Sequence, residues 1–505
     1  MCQMMVLSSF LKEHELATNK LSILFVASEV EGLIKSGGLA DVAKALPEAL
    51  HQLQQDVRIT IPAYNGIERL EEAEVLLETQ LTSWPHTEYR VLRLFLGDVP
   101  VYLIDCQPYF DRPSMYAENN QAYTDNGERF AFFSAACLDM LPKLDFRPDI
   151  VHANDWHTGL VPFLLKHRHA SDPFFVNTHS VISIHNAVFK GVFRYDDVQC
   201  LPEFQNYNVP DAAVSSTHIS MLKAGVLNAD KINAVSPTYA EELKTDLGSH
   251  GMSWEFQQRA NDLVGILNGC DYSAWNPETD TYLPVNYQAN EQSMVEGKKA
   301  CKKALQKRLN LEQKECALFG MVCRLTMQKG VHYLLPALQD FLKHDVQLVL
   351  VGTGDPSLAA QLEDVAAQFS DKFVFVEAYD NELAHLVEAG SDFFLMPSEF
   401  EPCGLNQIYS MAYGTLPIVR GVGGLKDSVN DYDADPTDAT GFVFYEPTPQ
   451  ALLLIMLRAL LLYAQDNDEV KRVQLHAMQK DFCWRKAGEE YLKLYHSALK
   501  LVFPH

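Results

Sequence analysis

No C-x-x-C pair occurs among the ten cysteines of this 505-residue chain. That excludes a zinc ribbon or a small disulfide scaffold and suits a reducing compartment. No apolar run reaches the ~20 residues that a membrane span needs. The greasiest stretch, Ala451 to Ala464 (ALLLIMLRALLLYA), carries Arg458 in its middle and reads as a buried helix. Residues 1–20 lack both a basic start and a long apolar core, so they read as an extension and not a signal peptide. Positive charge is scarce: 41 basic residues face 66 acidic ones, a formal net charge of −25. Such a chain is a poor general binder of nucleic acid or anionic membrane. The expectation is a soluble, cytoplasmic protein with neither as a partner.

Several chemical signatures are missing too. There is no G-x-x-x-x-G-K-[ST], and Gly352-Thr-Gly354 lacks the third glycine of a dinucleotide fingerprint. A P-loop ATPase and a simple dehydrogenase are thereby disfavoured. The run His14-Glu-Leu-Ala-Thr18 lacks the second histidine of a zinc protease. No tandem repeat marks a solenoid or propeller.

What is present is globular composition, 47% hydrophobic and 21% charged, in a chain long enough for two or three domains. Short β-rich runs alternate with helical patterns throughout, the mark of an α/β protein with parallel sheets. Strands are predicted at Leu21–Ser28, Val57–Ile61, Val101–Ile104, Asp149–His152 and Val181–Ile184. A second series follows at Ala317–Cys323, Gln347–Val351, Phe373–Val376, Phe393–Met396 and Pro417–Val419. A helix from about Leu39 carries Pro47 inside its pattern, which predicts a bend. The last helix is predicted from roughly Ala487 to Val502, and the domain boundary between Ala240 and Ala274. Two doubly wound domains facing each other would hold a ligand in the cleft at the carboxyl ends of both sheets.

Chemistry concentrates where strands end. After the first strand, EVEGLIKSGGLADV puts Gly37 and Gly38 before a helix, with Lys35 beside them; this suits an anion, and equally a tight turn. In Cys323-Arg-Leu-Thr-Met-Gln-Lys-Gly330, Arg324 and Lys329 could hold a pyrophosphate or be solvated loop cations. In SEFEPCGLNQIYSMAYG, Glu399 and Glu401 precede a helix starting near Gly404. Either could accept sugar hydroxyls or merely cap the helix. Val422-Gly-Gly-Leu425 is a second double glycine with the same two readings. Asp155-Trp-His157 and Ile184-His-Asn186 each end a strand, with structural histidines the plainer alternative.

Together these segments resemble the bacterial glycogen synthase and plant starch synthase family, in order and nearly full length from Leu21 to about Tyr495. The resemblance runs through KSGGLADV, YFDRPSMY, HANDWHTGL, ISIHNAVFKGVF, MLKAGVLNADKINAVSPTYA, GILNGCDYSAWNP, RLTMQKG, PSEFEPCGLNQIYSMAYGTLPIVR and GGLKDSV. It implies the GT-B fold, two Rossmann-like doubly wound parallel-sheet domains facing across a cleft. The expected division is an extension at 1–20, domains at 21–260 and 261–480, and a helix at 481–505 crossing back to the first domain.

The implied activity is retaining transfer of glucose from ADP-glucose to the non-reducing end of an α-1,4-glucan such as glycogen, with no metal and no cofactor beyond the substrate. Rival readings are a UDP-glucose donor, another acceptor, or a glucan-binding homologue with weakened catalysis. By the family pattern Glu401, Arg324, Lys329 and His185 are catalytic. Lys35, Gly37, Gly38, Asp155, Asn268, Tyr379, Cys403, Gly404, Leu405, Gly423 and Gly424 bind the donor. The sequence departs from the pattern at Tyr409, where many retaining relatives carry a second glutamate. It departs also at Val422 in place of Thr, at Asn154 in place of His, at Lys190 and Cys270, and in the loop Gly248–Trp254.

Overall fold

A computed structural model describes residues 20–499 apart from 82, 85, 86 and 120. The chain divides into two compact units. The first takes the chain up to Val235, then Ala240–Asn268 and the stretch from Trp484; the second takes Ser236–Tyr239 and Gly269–Cys483. The extension expected at 1–20 lies outside the described residues except for Lys20, as does the chain beyond Leu499.

The first unit is built on one nine-stranded sheet. In chain order its strands are β1 (Ser22–Val26), β2 (Asp56–Pro62), β3 (Glu74–Gln80), β4 (Glu88–Leu96), β5 (Val99–Asp105), β6 (Ile150–Asn154), β7 (His179–Ile184), β8 (Lys231–Ala234) and β9 (Leu263–Gly265). Their spatial order is β9-β8-β7-β6-β1-β2-β5-β4-β3. Six of the junctions are parallel, but β3–β4 and β4–β5 are antiparallel, so the sheet is mixed and not wholly parallel as expected. Buried apolar runs such as SILFV, shielded on both faces, account for the parallel part. Chain order steps from β1 out to β2 on one side and returns to β6 on the other. The ends of β1 and β6 therefore flank a topological switch point, the place where doubly wound sheets bind ligands.

Helix α1 (Gly38–Gln52) follows β1 and runs unbroken through Pro47, burying Leu39, Val42, Ala43, Leu46 and Leu50. Helices α2 (Asn126–Lys143) and α3 (Leu160–His167) follow in this unit.

The second unit carries a six-stranded sheet, all parallel: β10 (Ala317–Val322), β11 (Val346–Val351), β12 (Phe373–Val376), β13 (Phe393–Met396), β14 (Leu416–Arg420) and β15 (Phe442–Phe444). The order β12-β11-β10-β13-β14-β15 puts its switch point between β10 and β13. Around it stand α4 (Val331–Phe341), α5 (Asn406–Ala412), α6 (Gly423–Ser428) and α7 (Pro449–Gln465). Helix α7 contains the ALLLIMLRALLLYA run, and it is a surface helix, not a buried one. Leu452, Ile455, Met456 and Ala459 face the core, but Leu454 is 68% and Leu461 47% exposed.

The last helix among the described residues is α8 (Trp484–Ala498), which packs within the first unit. Tyr491, Leu494 and Tyr495 enter the same core cluster as β1 and α1. The Tyr491 hydroxyl accepts from Asn233 Nδ2 at 2.7 Å, and that of Tyr495 lies 2.8 Å from His152 Nδ1. No helix among the described residues is long and apolar enough to cross a membrane.

Candidate active site

In the first unit the candidate residues gather past the ends of β1, β6 and β7. Lys35 pairs with Glu31 at 2.8 Å and with Asp41 at 2.7 Å. Burial works against its charge, but hydrogen bonds to Asp41 and Glu31 outweigh that and raise its pKa. The amides of Ser36 and Gly37 donate to the carboxylate of buried Glu29. The donors expected to be open to phosphate are thus taken by the chain's own acid, apart from Gly38.

Neither glycine is required by the turn itself. Gly37 has an extended φ of −158°. A Cβ on Gly37 would come no closer than 3.9 Å to Glu29, and one on Gly38 would meet nothing within 4 Å. Their small size keeps open space in front of the helix.

Asp155 sits just beyond β6 with a φ of 56°, a left-handed conformation that costs a non-glycine residue energy. Its Oδ1 accepts the amides of His185 at 2.7 Å and Asn186 at 3.4 Å. Burial raises its pKa to about 7; those amide bonds oppose the rise and the charge of Glu29 adds to it. His185 Nε2 lies 2.9 Å from Asn154 Oδ1, and burial lowers the ring's pKa to about 3. His157, the neighbouring candidate, is instead a packing residue. Its ring stacks on Trp156 at 3.9 Å and lies against Tyr116 and Phe130. Asn268 is buried, and its Oδ1 takes no hydrogen bond among the described residues.

The second unit brings its candidates together more tightly. Past β10, exposed Arg324 forms no ion pair among the described residues, and one 3₁₀ turn carries Lys329. Gly330 follows at φ 72°, and a Cβ there would lie 1.8 Å from the Pro397 carbonyl, so glycine is what allows the loops after β10 and β13 to meet. Across that meeting Lys329 Nζ reaches Glu401 Oε2 at 2.5 Å, and Ser398 Oγ donates to the same oxygen at 3.0 Å. Glu401 is only 6% exposed, so the pair stands largely outside solvent.

The Glu401 loop is pinned from several sides. Glu399 N donates to Gln328 O at 2.7 Å, and Gly424 N to Glu401 O at 3.1 Å. Arg420 donates through Nε to Ser398 O at 2.7 Å and through Nη2 to Glu399 O. The Glu399 carboxylate is engaged by the Tyr333 hydroxyl, so the two glutamates have different partners and different work.

Cys403 is buried, Gly404 adopts φ 74°, and Leu405 stands at the start of α5. Gly423 and Gly424 are close-packing glycines: added Cβ atoms would fall 2.0 Å from Glu401 O and 2.1 Å from Cys403 O. Tyr379 lies beyond β12 and is 89% exposed. Tyr409 lies flat on Trp275 at 4.1 Å and 3°, and brings no second carboxylate.

Glu29, Ser398 and Arg420 are site residues that the sequence does not single out, and Asn154 stands there only as a departure from the family pattern. Each lies inside a motif segment already singled out. The signal available was a buried-strand end followed directly by a polar side chain, which only a partner in space makes specific.

Known proteins resemble this chain along nearly its whole length. A family model described as the starch synthase catalytic domain matches residues 22–258, and one for glycosyl transferases group 1 matches 302–473. The glycogen synthase of Vibrio parahaemolyticus is 86% identical over 484 residues, covering 96% of this chain and 100% of its own. That of Vibrio cholerae is 60% identical over 479 residues, covering 95% and 99%. Among solved structures, the catalytic domain of starch synthase IV from Arabidopsis thaliana, bound to ADP and acarbose, is 31% identical. It superposes with a TM-score of 0.86 over 95% of this chain and 100% of that one. The sucrose-phosphate synthase of Thermosynechococcus elongatus, at 17% identity and a TM-score of 0.58, shares the fold alone. With its two α/β units forming the GT-B fold and relatives of this identity along nearly its whole length, the chain belongs to the glycogen and starch synthase family of glycosyltransferases.

Proposed function

We propose that this protein is a glycogen synthase, moving glucose from ADP-glucose to the non-reducing end of an α-1,4-glucan with retention of configuration. The observation that carries the reading is the second unit's cluster: buried Glu401 held by Lys329, with Arg324 unpaired among the described residues at the same switch point. The named relatives support the reaction class, and the ADP bound to the Arabidopsis relative supports an adenine nucleotide over a uridine one.

In this reading the bond between C1 of glucose and the diphosphate oxygen breaks, and ADP departs with the bonding electrons. The acceptor 4-hydroxyl bonds to C1 from the same face, and its proton passes to the departing phosphate oxygen. Arg324 and Lys329 meet negative charge that grows only as the bond breaks, which favours the transition state over the bound donor. They also supply the countercharge a divalent metal would otherwise bring, so turnover is expected to survive chelation. Glu401 accepts a hydroxyl of the donor glucose, Cys403, Gly404 and Leu405 line that wall, and Gly423 and Gly424 approach the phosphates. Tyr379 would lie by the base. In the first unit Lys35, Gly37, Gly38, Asp155, Asn268 and His185 are assigned to donor binding, with Lys35 exchanging its acidic partners for phosphate.

The test supplies ADP-glucose or UDP-glucose with glycogen and follows nucleotide release and glucan growth. Turnover with ADP-glucose, insensitive to EDTA and lowered about 100-fold or more in Glu401→Gln, is expected. Turnover with UDP-glucose alone would reassign the donor. Glucan binding without turnover on either donor would favour a binding protein, the reading to which Val422, which makes no side-chain cap on α6, lends its support.

A further inference from the structure

The protons around His185 are set by its neighbour Asn154, which is fully buried at the end of β6. The Asn154 side-chain nitrogen donates to Val26 O at 3.0 Å and faces His152 O at 3.4 Å. Both partners are carbonyls and can only accept. Turning the amide over would set oxygen against oxygen, so its orientation is fixed by its surroundings. That leaves Asn154 Oδ1 as the atom 2.9 Å from His185 Nε2.

An amide oxygen has no proton to give, so Nε2 must carry the ring proton. In a neutral imidazole Nδ1 then holds a lone pair. The ring is neutral because burial keeps its pKa near 3. The main chain of the same residue is fixed from the next position, since His185 N donates to Asp155 Oδ1 at 2.7 Å. Two successive residues, Asn154 and Asp155, thus hold the backbone and the ring of one histidine. Among the described residues nothing bonds to Nδ1.

We propose that Asn154 is a positioning residue that holds His185 as the Nε2–H tautomer, so that Nδ1 is presented as an acceptor to a hydroxyl group of the bound sugar. This rests on the glucosyl-transfer reading, which sets His185 beside the donor glucose. The arrangement assigns the ring a recognition task and denies it proton donation through Nδ1. It also gives the departure at 154 a meaning. A histidine there, the usual residue of the family, can accept or donate, whereas an asparagine with its nitrogen committed to carbonyls can only accept. An aspartate would accept as well, but its charge would favour a doubly protonated ring and turn Nδ1 into a donor.

The tautomer is measurable without any substrate. In full-length protein labelled with ¹⁵N at histidine, with His185 assigned by comparison with His185→Gln, ring shifts should show protonated Nε2 and bare Nδ1. They should stay so between about pH 6 and 8. A proton on Nδ1, or a ring that titrates in that range, would overturn the proposal. In Asn154→Asp the shifts should become those of an imidazolium, and kcat with ADP-glucose should fall about tenfold. A variant that folds and keeps both the wild-type tautomer and kcat would also overturn it. If Asn154→Asp does not fold, the wild-type spectrum decides. Absence of wild-type turnover counts against the glucosyl-transfer reading, while the wrong tautomer counts against Asn154 alone.

Discussion

Asp155 and three histidines of the first unit pull its stability in opposite directions with pH. The Asp155 carboxyl, raised to about 7, stabilises the fold below its ordinary pKa near 4, and that contribution is lost as pH rises through 7. His152, His157 and His185, each lowered by burial to about 3, stabilise the fold above their ordinary pKa of 6.5. Their contribution is lost as pH falls toward 3. With three groups against one, the unit should lose stability on acidification from about pH 6. Asp155→Asn should gain relative to wild type as pH climbs from 4 to 8, by about 4 kcal/mol if the whole shift is expressed. Thermal unfolding midpoints across that range measure both effects. A wild-type midpoint flat down to pH 4 would contradict the account of the histidines.

At the scale of elements, two double glycines that look alike in sequence differ in kind. Gly38 opens α1 with empty space around its Cβ position, whereas Gly423 at φ 42° opens α6 with Glu401 O only 2.0 Å from where a Cβ would stand. Gly38→Ala should therefore fold with an unfolding free energy within about 1 kcal/mol of wild type and bind the donor more weakly. Gly423→Ala should lose roughly 3 kcal/mol or more, because backbone and not a flexible side chain must move. Melting curves together with donor KM separate the two.

The same contrast shows what could be read from the chain. Strand Phe393–Met396, buried at every position, was legible to the residue, since a parallel strand covered on both faces is an uninterrupted apolar run. Strand β3, EVLLETQ, was not: half exposed at the sheet edge, it has no such run. Helix α7 was misread because leucine counts record greasiness and not which side faces out. In the site, Lys329 and Glu401 were legible as residue types at strand ends, but Arg420 and Asn154 act through partners far away in sequence.

For the whole molecule, the chain's path matters as much as either sheet. It leaves the first unit at Asn268 and returns at Trp484, so α8 completes a core begun more than four hundred residues earlier. Removing everything from Trp484 would strip Tyr491, Leu492, Leu494 and Tyr495 from that core and leave His152 and Asn233 without their tyrosine partners. At roughly 1.5–3 kcal/mol for each large side chain, the loss rivals the entire stability of a domain. The truncated protein should be insoluble or unfolded by circular dichroism, whereas Tyr495→Phe should cost only about 1 kcal/mol.

The most direct trial of the central claim compares wild type, Arg324→Ala and Lys329→Ala for ADP-glucose binding and for single-turnover glucosyl transfer to glycogen. If the two cations act on the departing diphosphate, each variant should slow transfer about 100-fold or more while donor affinity falls far less. Transfer at wild-type rate in both, or rates that fall only in step with donor affinity, would contradict that claim.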